Sequence, residues 1–280
     1  MPLVRHADAD TFLAAAAPVI ARSAASEAFV TAWALGQKRI PPPSTERHYL
    51  ATVDGDHGAG LAMQSAVGPA VIEDSDPGAA AMLADDLADD WPTLGGVVGS
   101  LTACEAFARR WRERTGRVHA LRLHLRHHML TAVADVADPG GAMRAATPED
   151  TDWLIESQLA FIDEVDVPDD PARVRRVVPQ RLADDRFRLW EHGGIVAYAG
   201  WTDAGPTAAR VAPVYTPPAF RKRGYATALV AGLSRELLTR GKAGLFLVTD
   251  AANPTSNAIY ARVGYRPLVD FYHFDLVAPS

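Results

Sequence analysis

The sequence predicts a mixed α/β fold built from two halves in tandem, each with a central mixed β-sheet flanked by helices. In the C-terminal half, short apolar runs of strand length alternate with amphipathic stretches of helical length. The N-terminal half ends with a looser version of the same order. Strands and helices that alternate along a chain are typical of a mixed sheet rather than of separate all-α and all-β blocks. A chain of 280 residues also has room for two domains of ordinary size.

The C-terminal half is predicted to have the element order β-α-α-β-β-β-α-β-α-β. A short strand at Arg144 leads to Thr147 and Pro148, which fit the N-cap and first turn of a helix. A second helix is predicted to end near Leu182. The later strands are predicted over residues 187–190, 195–201, 208–215, 245–249 and 266–276. The last two helices are predicted over residues 225–240 and 253–263.

The N-terminal half has fewer clear signals but a similar ending. Its strands are predicted over residues 49–53, 60–67, 96–98 and 118–130, and its helices over residues 77–87 and 101–115. The last helix of each half ends at a glycine, and Arg114-Thr115-Gly116 matches Arg262-Val263-Gly264. We interpret this match as a degenerate internal duplication. The turn-rich segment Asp138–Gly141 is the predicted boundary, so the domains are predicted over residues 1–138 and 141–280.

Composition narrows the classes of function. The net charge of −6 argues against general nucleic-acid binding, which needs a basic surface. No segment approaches the ~20 apolar residues of a membrane span, and the N-terminus lacks a signal-peptide pattern, since Asp8 and Asp10 come early. Cys104 is the single cysteine, so no intrachain disulfide can form, which fits a reducing compartment. We therefore expect a cytoplasmic protein that acts without nucleic acid or membrane.

One strand carries residues that could suggest a metal. His124, Arg126 and His128 alternate and therefore share one face of the strand. A solvated or interface face explains them better than a metal site, because no cysteine or carboxylate stands beside them in the sequence. We expect no metal.

The sharpest functional signal lies in the segment Val214–Ala226. A strand ends, two prolines turn the chain out of the sheet, and Arg221, Lys222 and Arg223 precede Gly224 at a helix start. The first turn of a helix offers unpaired N–H groups and the positive end of the helix dipole, which together bind anions. Glycine leaves space for a phosphate to approach the backbone. These features predict a pyrophosphate site.

The same residues resemble one protein family. Arg221-x-x-Gly224-x-Ala226 matches the R/Q-x-x-G-x-G/A motif of GNAT acetyltransferases, between the fourth strand and the third helix. A second block of the family also matches, with a strand followed by Asn253, Asn257, Tyr260 and Gly264-Tyr265. The resemblance covers about residues 141–276 and looks closest to double-GNAT proteins whose C-terminal half is FR47-like. It implies a domain that binds acetyl-coenzyme A as cosubstrate.

The resemblance also implies the residues of the cofactor site. The strand before the loop would separate from its neighbour, so that its backbone pairs with the pantetheine arm. The expected cofactor-binding residues are Val214, Tyr215, Thr216, Arg221, Lys222, Arg223, Gly224, Tyr225, Ala226, Thr227 and Asn253. Asn253 would also serve as the N-cap of its helix whether or not it contacts the coenzyme.

Direct attack of an amine on the thioester is the implied chemistry. The backbone N–H of Val214 would polarise the thioester carbonyl. Tyr260 stands at the family's position for the general acid that protonates the departing thiolate, although a helix aromatic packed against the cofactor would look the same. The predicted strand 208–215 contains no acid, so the base is less clear. Glu164 is the first choice as general base; Asp163, Asp203, Tyr215 and a water relay are weaker alternatives.

Three functions remain open at this point. The first is N-acetylation of the primary amine of a small molecule, either a simple amine or an amino-acid-like metabolite. The second is N-acetylation of a protein or peptide, and the third is a non-catalytic acyl-CoA-binding regulator. The N-terminal half has no loop of the same kind, and Pro77-Gly78-Ala79 carries no cations. We expect that half to lack coenzyme A and to support the sheet or the acceptor pocket. The sequence leaves the oligomeric state open.

Overall fold

The computed structural model describes residues 3–21, 30–40, 48–53, 60–64, 68–165 and 170–279. Its contacts divide the chain into two compact units. Unit 1 comprises Met1–His127, Asp250–Ala252 and Val269–Ser280, and unit 2 comprises His128–Thr249 and Asn253–Leu268. The units are groups of contacting residues rather than consecutive stretches, so the linear boundary near Asp138 stays a prediction.

The first half of the chain forms six strands and four helices within the described residues. The strands are β1 (Leu3–Arg5), β2 (Tyr49–Val53), β3 (Gly60–Gln64), β4 (Ala70–Glu73), β5 (Gly96–Gly99) and β6 (Val118–Leu130). The helices are α1 (Ala9–Ile20), α2 (Val30–Arg39), α3 (Pro77–Asp90) and α4 (Leu101–Thr115). Of these, β1, α1, α2 and β4 were not predicted. The predicted end of β3 at Val67 lies outside the described residues.

The second half follows the predicted order. Its strands are β7 (Ala142–Ala145), β8 (Phe187–Glu191), β9 (Ile195–Asp203), β10 (Ala208–Tyr215), β11 (Gly244–Asp250) and β12 (Arg266–Val277). Its helices are α5 (Thr151–Val165), α6 (Pro171–Ala183), α7 (Tyr225–Thr239) and α8 (Pro254–Val263). The predicted mixed α/β fold is confirmed. Gly241 follows α7 and Gly264 caps α8, both with positive φ, as their positions in the sequence indicated.

Unit 1 contains a mixed sheet in the order β1-β2-β3-β4-β5, followed by the end of β12 and then β6. Among the described strand pairs β1–β2, β2–β3, β3–β4, β4–β5 and β5–β12, only β4–β5 is parallel. The core on the α3 and α4 side contains the stacked rings of Phe107 and Trp111, 5.5 Å apart. The core on the other side contains Phe12 of α1 and Phe271 of β12. Both faces of this sheet are therefore covered by helices.

Unit 2 contains a sheet in the order β11-β10-β9-β8-β7, in which β10 and β11 are parallel. Side chains of β9 alternate between two cores, as the two-residue period of a strand requires. Ala197 and Ala199 face the core that includes Leu229 and Leu233 of α7. Tyr198 faces the opposite core, which α5 and α6 cover. This three-layer arrangement holds β10 between two helical layers.

Candidate active site

The strands β10 and β11 diverge after three residue pairs. Their parallel register joins Ala208–Arg210 to Gly244–Phe246 and extends no further among the described residues. Beyond that point β10 stays paired with β9, with a bulge between Val211 and Val214. The edge of β10 that faces β11 is therefore open from Val211 onward, and the predicted separation of this strand is present. Pro213 lies within the bulge, where a strand tolerates a residue without an N–H.

The loop after β10 ends in a helix start without a side-chain cap. Gly224 is the N-cap of α7, has a φ of +87° and offers no capping side chain. The first helical hydrogen bond runs from the N–H of Ala228 to the carbonyl of Gly224 at 3.0 Å. The N–H groups of Tyr225, Ala226 and Thr227 precede that bond and need another acceptor. With the positive end of the helix dipole, they form a site for an anion.

Three cations stand directly before this helix start. Arg221, Lys222 and Arg223 are all exposed, and Lys222 adopts a positive φ of 62°. A non-glycine residue with positive φ is uncommon and is concentrated at binding loops. The loop therefore combines backbone donors with positive side chains at one position in unit 2.

Thr216 supplies a separate indication that a ligand belongs here. Its Oγ1 is buried and has no hydrogen-bond partner among the described residues. Burial of a hydroxyl without a partner costs about 1–3 kcal/mol, so native proteins rarely leave one unsatisfied. Thr216 follows the open edge of β10, so this hydroxyl suits the polar arm of an extended ligand there. The residues present thus fit a coenzyme with a pyrophosphate and an amide-containing arm.

Three other residues predicted to bind the coenzyme are wholly or partly buried. Tyr225 is buried and its ring lies 5.5 Å from that of His192, and Tyr215 is buried beside Phe161. Their backbone groups are therefore the groups that we expect to contact a coenzyme. Val214 is half-buried against the core on the α7 side.

Arg221 links the loop to α5. Its Nε donates to the carbonyl of Thr216 at 2.8 Å, and its Nη2 lies 2.5 Å from Oε2 of Glu164. The guanidinium also lies over the ring of Tyr215, 5.6 Å from its centroid. The hydrogen bond to Glu164 is the largest cause that raises the pKa of Arg221. The structure thus brings the predicted base, Glu164, to the predicted pyrophosphate loop.

The α8 helix carries the other predicted residues. Tyr260 is half-buried, and its ring lies 6.0 Å from the ring of Tyr265. Burial raises the pKa of Tyr260 to about 12, which keeps its hydroxyl protonated. Asn253 is the N-cap of α8, and its Oδ1 accepts from the N–H groups of Thr255 and Ser256 at 3.1 Å each. The side-chain oxygen Oδ1 of Asn253 is therefore used by the cap, which leaves the side-chain NH₂ group for a ligand.

The position and partners of Asp203 argue against it as an alternative base. It pairs with Arg186 at 2.7 Å and with Lys242 at 2.8 Å, and it lies opposite Ala209 at the start of β10. The strand distance from Ala209 to Thr216 is roughly 20 Å at the usual rise per residue. Asp163 remains exposed on α5.

Unit 1 has a different arrangement at the corresponding helix start. Asp76 is the N-cap of α3, and its carboxylate accepts from the N–H of Ala79 at 2.8 Å. Pro77 at the first position of α3 has no N–H at all. A carboxylate of the chain itself therefore occupies the position that an anion would take. That the first half lacks a coenzyme loop stays a prediction, which this capped helix start supports.

The residues His124 and Arg126 of unit 1 have a structural explanation. Both contact the carboxylate of Asp270, at 2.8 and 2.7 Å, and the ring of His124 stacks on Tyr272 at 4.7 Å. Within the described part of the chain, no group of His, Cys, Asp or Glu side chains is suited to a metal ion. In the same part of the chain, no helix is both long and apolar enough to cross a membrane.

Comparison with known proteins identifies the fold. Residues 191–273 match the family described as FR47-like protein. No curated protein is significantly similar in sequence to this chain.

Three solved structures show the extent of the likeness. A Drosophila protein has 17% identity, a TM-score of 0.64 and coverage of 99% of both chains. A GCN5-related N-acetyltransferase from Sphaerobacter thermophilus has 16% identity and a TM-score of 0.63, over 99% of this chain and 96% of that one. A tandem GNAT protein from the clavulanic acid biosynthesis pathway has 15% identity and a TM-score of 0.55, over 89% and 88%. The chain therefore has the tandem GNAT fold that the sequence predicted.

Proposed function

We propose that unit 2 is an acetyl-CoA-dependent N-acetyltransferase that acts on the primary amine of a small molecule. The observation that carries the proposal is the uncapped helix start at Gly224, placed directly after the open edge of β10. The tandem GNAT fold supports acyl transfer in general. A compartment that is reducing and supplies acetyl-CoA, such as the cytoplasm, agrees with the free thiol of Cys104.

The coenzyme would be held mainly by backbone groups. The N–H groups of Tyr225, Ala226 and Thr227 would bind the pyrophosphate, and the side chains of Lys222 and Arg223 would add positive charge. The backbone of Val214, Tyr215 and Thr216, with the Thr216 hydroxyl, would pair with the pantetheine arm; Asn253 and Arg221 would complete the set. Acetyl-CoA, when bound, supplies an acyl group activated as a thioester.

Each chemical task is assigned to a group of this chain. The N–H of Val214 would stabilise the oxyanion that forms when the amine attacks, a contribution of about 10²–10³ in rate for such donors. Tyr260 would donate its proton to the departing sulfur, and its raised pKa keeps that proton available at neutral pH. Glu164 would accept the proton of the attacking amine.

The ion pair between Glu164 and Arg221 restricts when Glu164 can act as a base. While the guanidinium of Arg221 donates to Oε2 of Glu164, that oxygen is occupied and is not available to accept a proton from an amine. Arg221 lies on the pyrophosphate loop and can exchange Glu164 for a phosphate. We therefore propose that Arg221 releases Glu164 once the loop is filled, so that the base becomes active only when the acyl donor is present.

Two alternatives remain. The pairing of Glu164 also agrees with a non-catalytic acyl-CoA-binding regulator, in which that carboxylate only orders the loop. A protein or peptide acceptor is the other alternative.

Calorimetry with acetyl-CoA, followed by a thiol-release assay on a panel of small amines and lysine peptides, tests the proposal. We expect binding near micromolar strength, about −8 kcal/mol, and release of thiol with small amines. Binding without release would favour the regulator, and release only with peptides would favour a protein acceptor. An absence of binding would overturn the acetyl-CoA assignment.

A further inference from the structure

Arg181 at the end of α6 reaches the bulge in β10. Its Nη2 donates to the carbonyl of Ala212 at 3.2 Å and to the carbonyl of Trp201 at 3.4 Å. The guanidinium lies over the ring of Phe187, 4.9 Å from the centroid. Ala212 is inside the bulge, at the place where β10 leaves β11. Arg181 therefore puts a positive charge beside the start of the open edge.

Gly200 in β9 makes room for this side chain. A Cβ at Gly200 would lie 2.9 Å from Nη2 of Arg181 and 2.9 Å from the carbonyl oxygen of Ala212. Real Cβ atoms essentially never approach a heavy atom below 3.0 Å. Any larger residue at this position would therefore displace the guanidinium or the bulge.

The charge of Arg181 has no counter-ion among the described residues. Its contacts are two carbonyls and a ring, and its Nε is buried without a hydrogen-bond partner. Burial, the largest cause, together with repulsion from Arg210, Arg186 and Arg173, lowers the pKa of Arg181 to about 10. Arg186 has Asp203 as its own partner, 2.7 Å away.

A partly buried cation without an anion is unfavourable unless something compensates for it. Removing part of the charge from water is unfavourable, and two carbonyl oxygens recover only part of the lost solvation. An anion that binds beside Arg181 would recover the rest and would also satisfy the orphaned Nε. One cation is balanced by a single negative charge, which a carboxylate provides, and guanidinium and carboxylate groups match in geometry.

We infer that Arg181 binds a carboxylate of the acceptor, so that the substrate is a small amine that also carries a carboxylate, such as an amino acid. The inference rests on the proposed N-acetyltransferase function and specifies its substrate class. The carboxylate binds on the α6 side of the bulge and holds the amine next to the open edge of β10.

Matched pools of acceptors test this directly. One pool contains α- and ω-amino acids, and the other contains the amides of the same compounds, so that the pools differ only in the carboxylate. Thiol release is measured for the full-length wild-type protein and for Arg181→Gln. Arg181→Lys keeps the charge without the guanidinium fork. Arg175→Gln is the matched control, because Arg175 is exposed on the same helix.

We expect wild-type kcat/KM to be at least about tenfold higher for the amino acids than for the amides. Arg181→Gln should reduce that ratio to about two or less, Arg181→Lys should keep part of it, and Arg175→Gln should leave it unchanged. The Kd for acetyl-CoA should stay within about twofold in all variants, which separates acceptor recognition from a collapsed cofactor site.

Two results would overturn the inference alone: equal or faster release with the amides, or a preference for acids that survives in Arg181→Gln. Absence of release from both pools, with acetyl-CoA bound, would overturn the proposed enzyme function and this inference with it.

Discussion

Oε2 of Glu164 lies 2.5 Å from Nη2 of Arg221, so the last turn of α5 is joined to the loop that precedes α7. The two residues are 57 positions apart in the sequence, and both side chains are partly exposed. An exposed pair of this kind contributes about 0.2–1 kcal/mol. The role we propose for this pair is therefore to occupy Glu164 until the loop is filled, rather than to stabilise the fold.

Glu164→Gln is expected to lower kcat and to tighten acetyl-CoA binding slightly. Loss of a general base reduces the rate by about 10²-fold or more. Release of Arg221 from its ion pair should lower the Kd for acetyl-CoA by up to about fivefold, the equivalent of 1 kcal/mol. Calorimetry and thiol release measure the two effects separately. Asp163→Asn removes a neighbouring charge and should change neither; a normal kcat in Glu164→Gln would show that this residue only orders the loop.

Gly224→Glu should abolish binding of acetyl-CoA. The new carboxylate would stand at the uncapped helix start and repel the pyrophosphate. Gly224 has a φ of +87°, so any other residue also carries backbone strain of about 1–3 kcal/mol. Gly241→Glu is the matched control, because Gly241 is exposed, has a φ of +90° and lies beyond the other end of α7. Equal Kd values in the two variants would exclude the helix start as the pyrophosphate site.

The fold of the second half follows closely from local signals in the sequence. Helix-ending glycines, strand lengths and the cationic loop are short-range features, so they predicted α7, α8 and the helix start at Gly224. Pairing between distant segments is different. β12 pairs with β5, where Tyr272 stands opposite Gly99, and no periodic pattern specifies a partner so far away in the chain.

The same limit applies within the candidate site. In the sequence, Arg181 is an ordinary charged residue near a helix end, and Glu164 was predicted as the general base without any indication of its partner. Their roles depend on Ala212 and Arg221, which only the folded chain brings to them. Pro213 was the one local sign of this arrangement in the sequence, because a proline inside a strand predicts a bulge or an edge strand.

Thr216→Val should affect the free protein and the complex in opposite ways. The Oγ1 of Thr216 is buried without a partner among the described residues, so its removal should leave the free energy of unfolding unchanged or raise it by about 1 kcal/mol. Acetyl-CoA should bind about five- to tenfold more weakly, because a hydrogen bond to the ligand is lost. Urea unfolding and calorimetry measure these quantities.

Thr249→Val provides the contrast. Thr249 Oγ1 donates to Oδ1 of Asn257 at 2.7 Å, so this variant should lose about 1–3 kcal/mol of stability. If Thr216→Val is destabilised to the same degree, the hydroxyl of Thr216 has a hydrogen-bond partner within the protein and is not reserved for a ligand.

Tyr260→Phe should lower kcat by about 10²-fold with little change in the Kd for acetyl-CoA. Because burial raises the pKa of Tyr260 to about 12, the wild-type rate should show no alkaline loss from this group below about pH 11. Tyr265→Phe is the control: Tyr265 bonds to Ser234 at 3.0 Å, so its loss should reduce stability but not kcat. Equal kcat values in the two variants would remove Tyr260 from the mechanism.

Asp150 should make the stability of unit 2 depend on pH in the acid range. Its buried carboxylate accepts two hydrogen bonds from Arg144, at 2.6 and 2.9 Å, and one from the N–H of Thr147 at 2.7 Å. These contacts, the first above all, lower its pKa to about 2. A lowered folded-state pKa gives stability that is complete above the unfolded value near 4 and disappears as the pH falls toward 2.

Asp150→Asn is therefore expected to cost about 2 kcal/mol at pH 7, and the difference from wild type should shrink steadily between about pH 4 and pH 2. Urea unfolding at a series of pH values measures this. Asp152→Asn, at an exposed position on α5, should cost less than about 1 kcal/mol. A constant difference between wild type and Asp150→Asn down to pH 2 would mean that the carboxylate acts through packing and not through its charge.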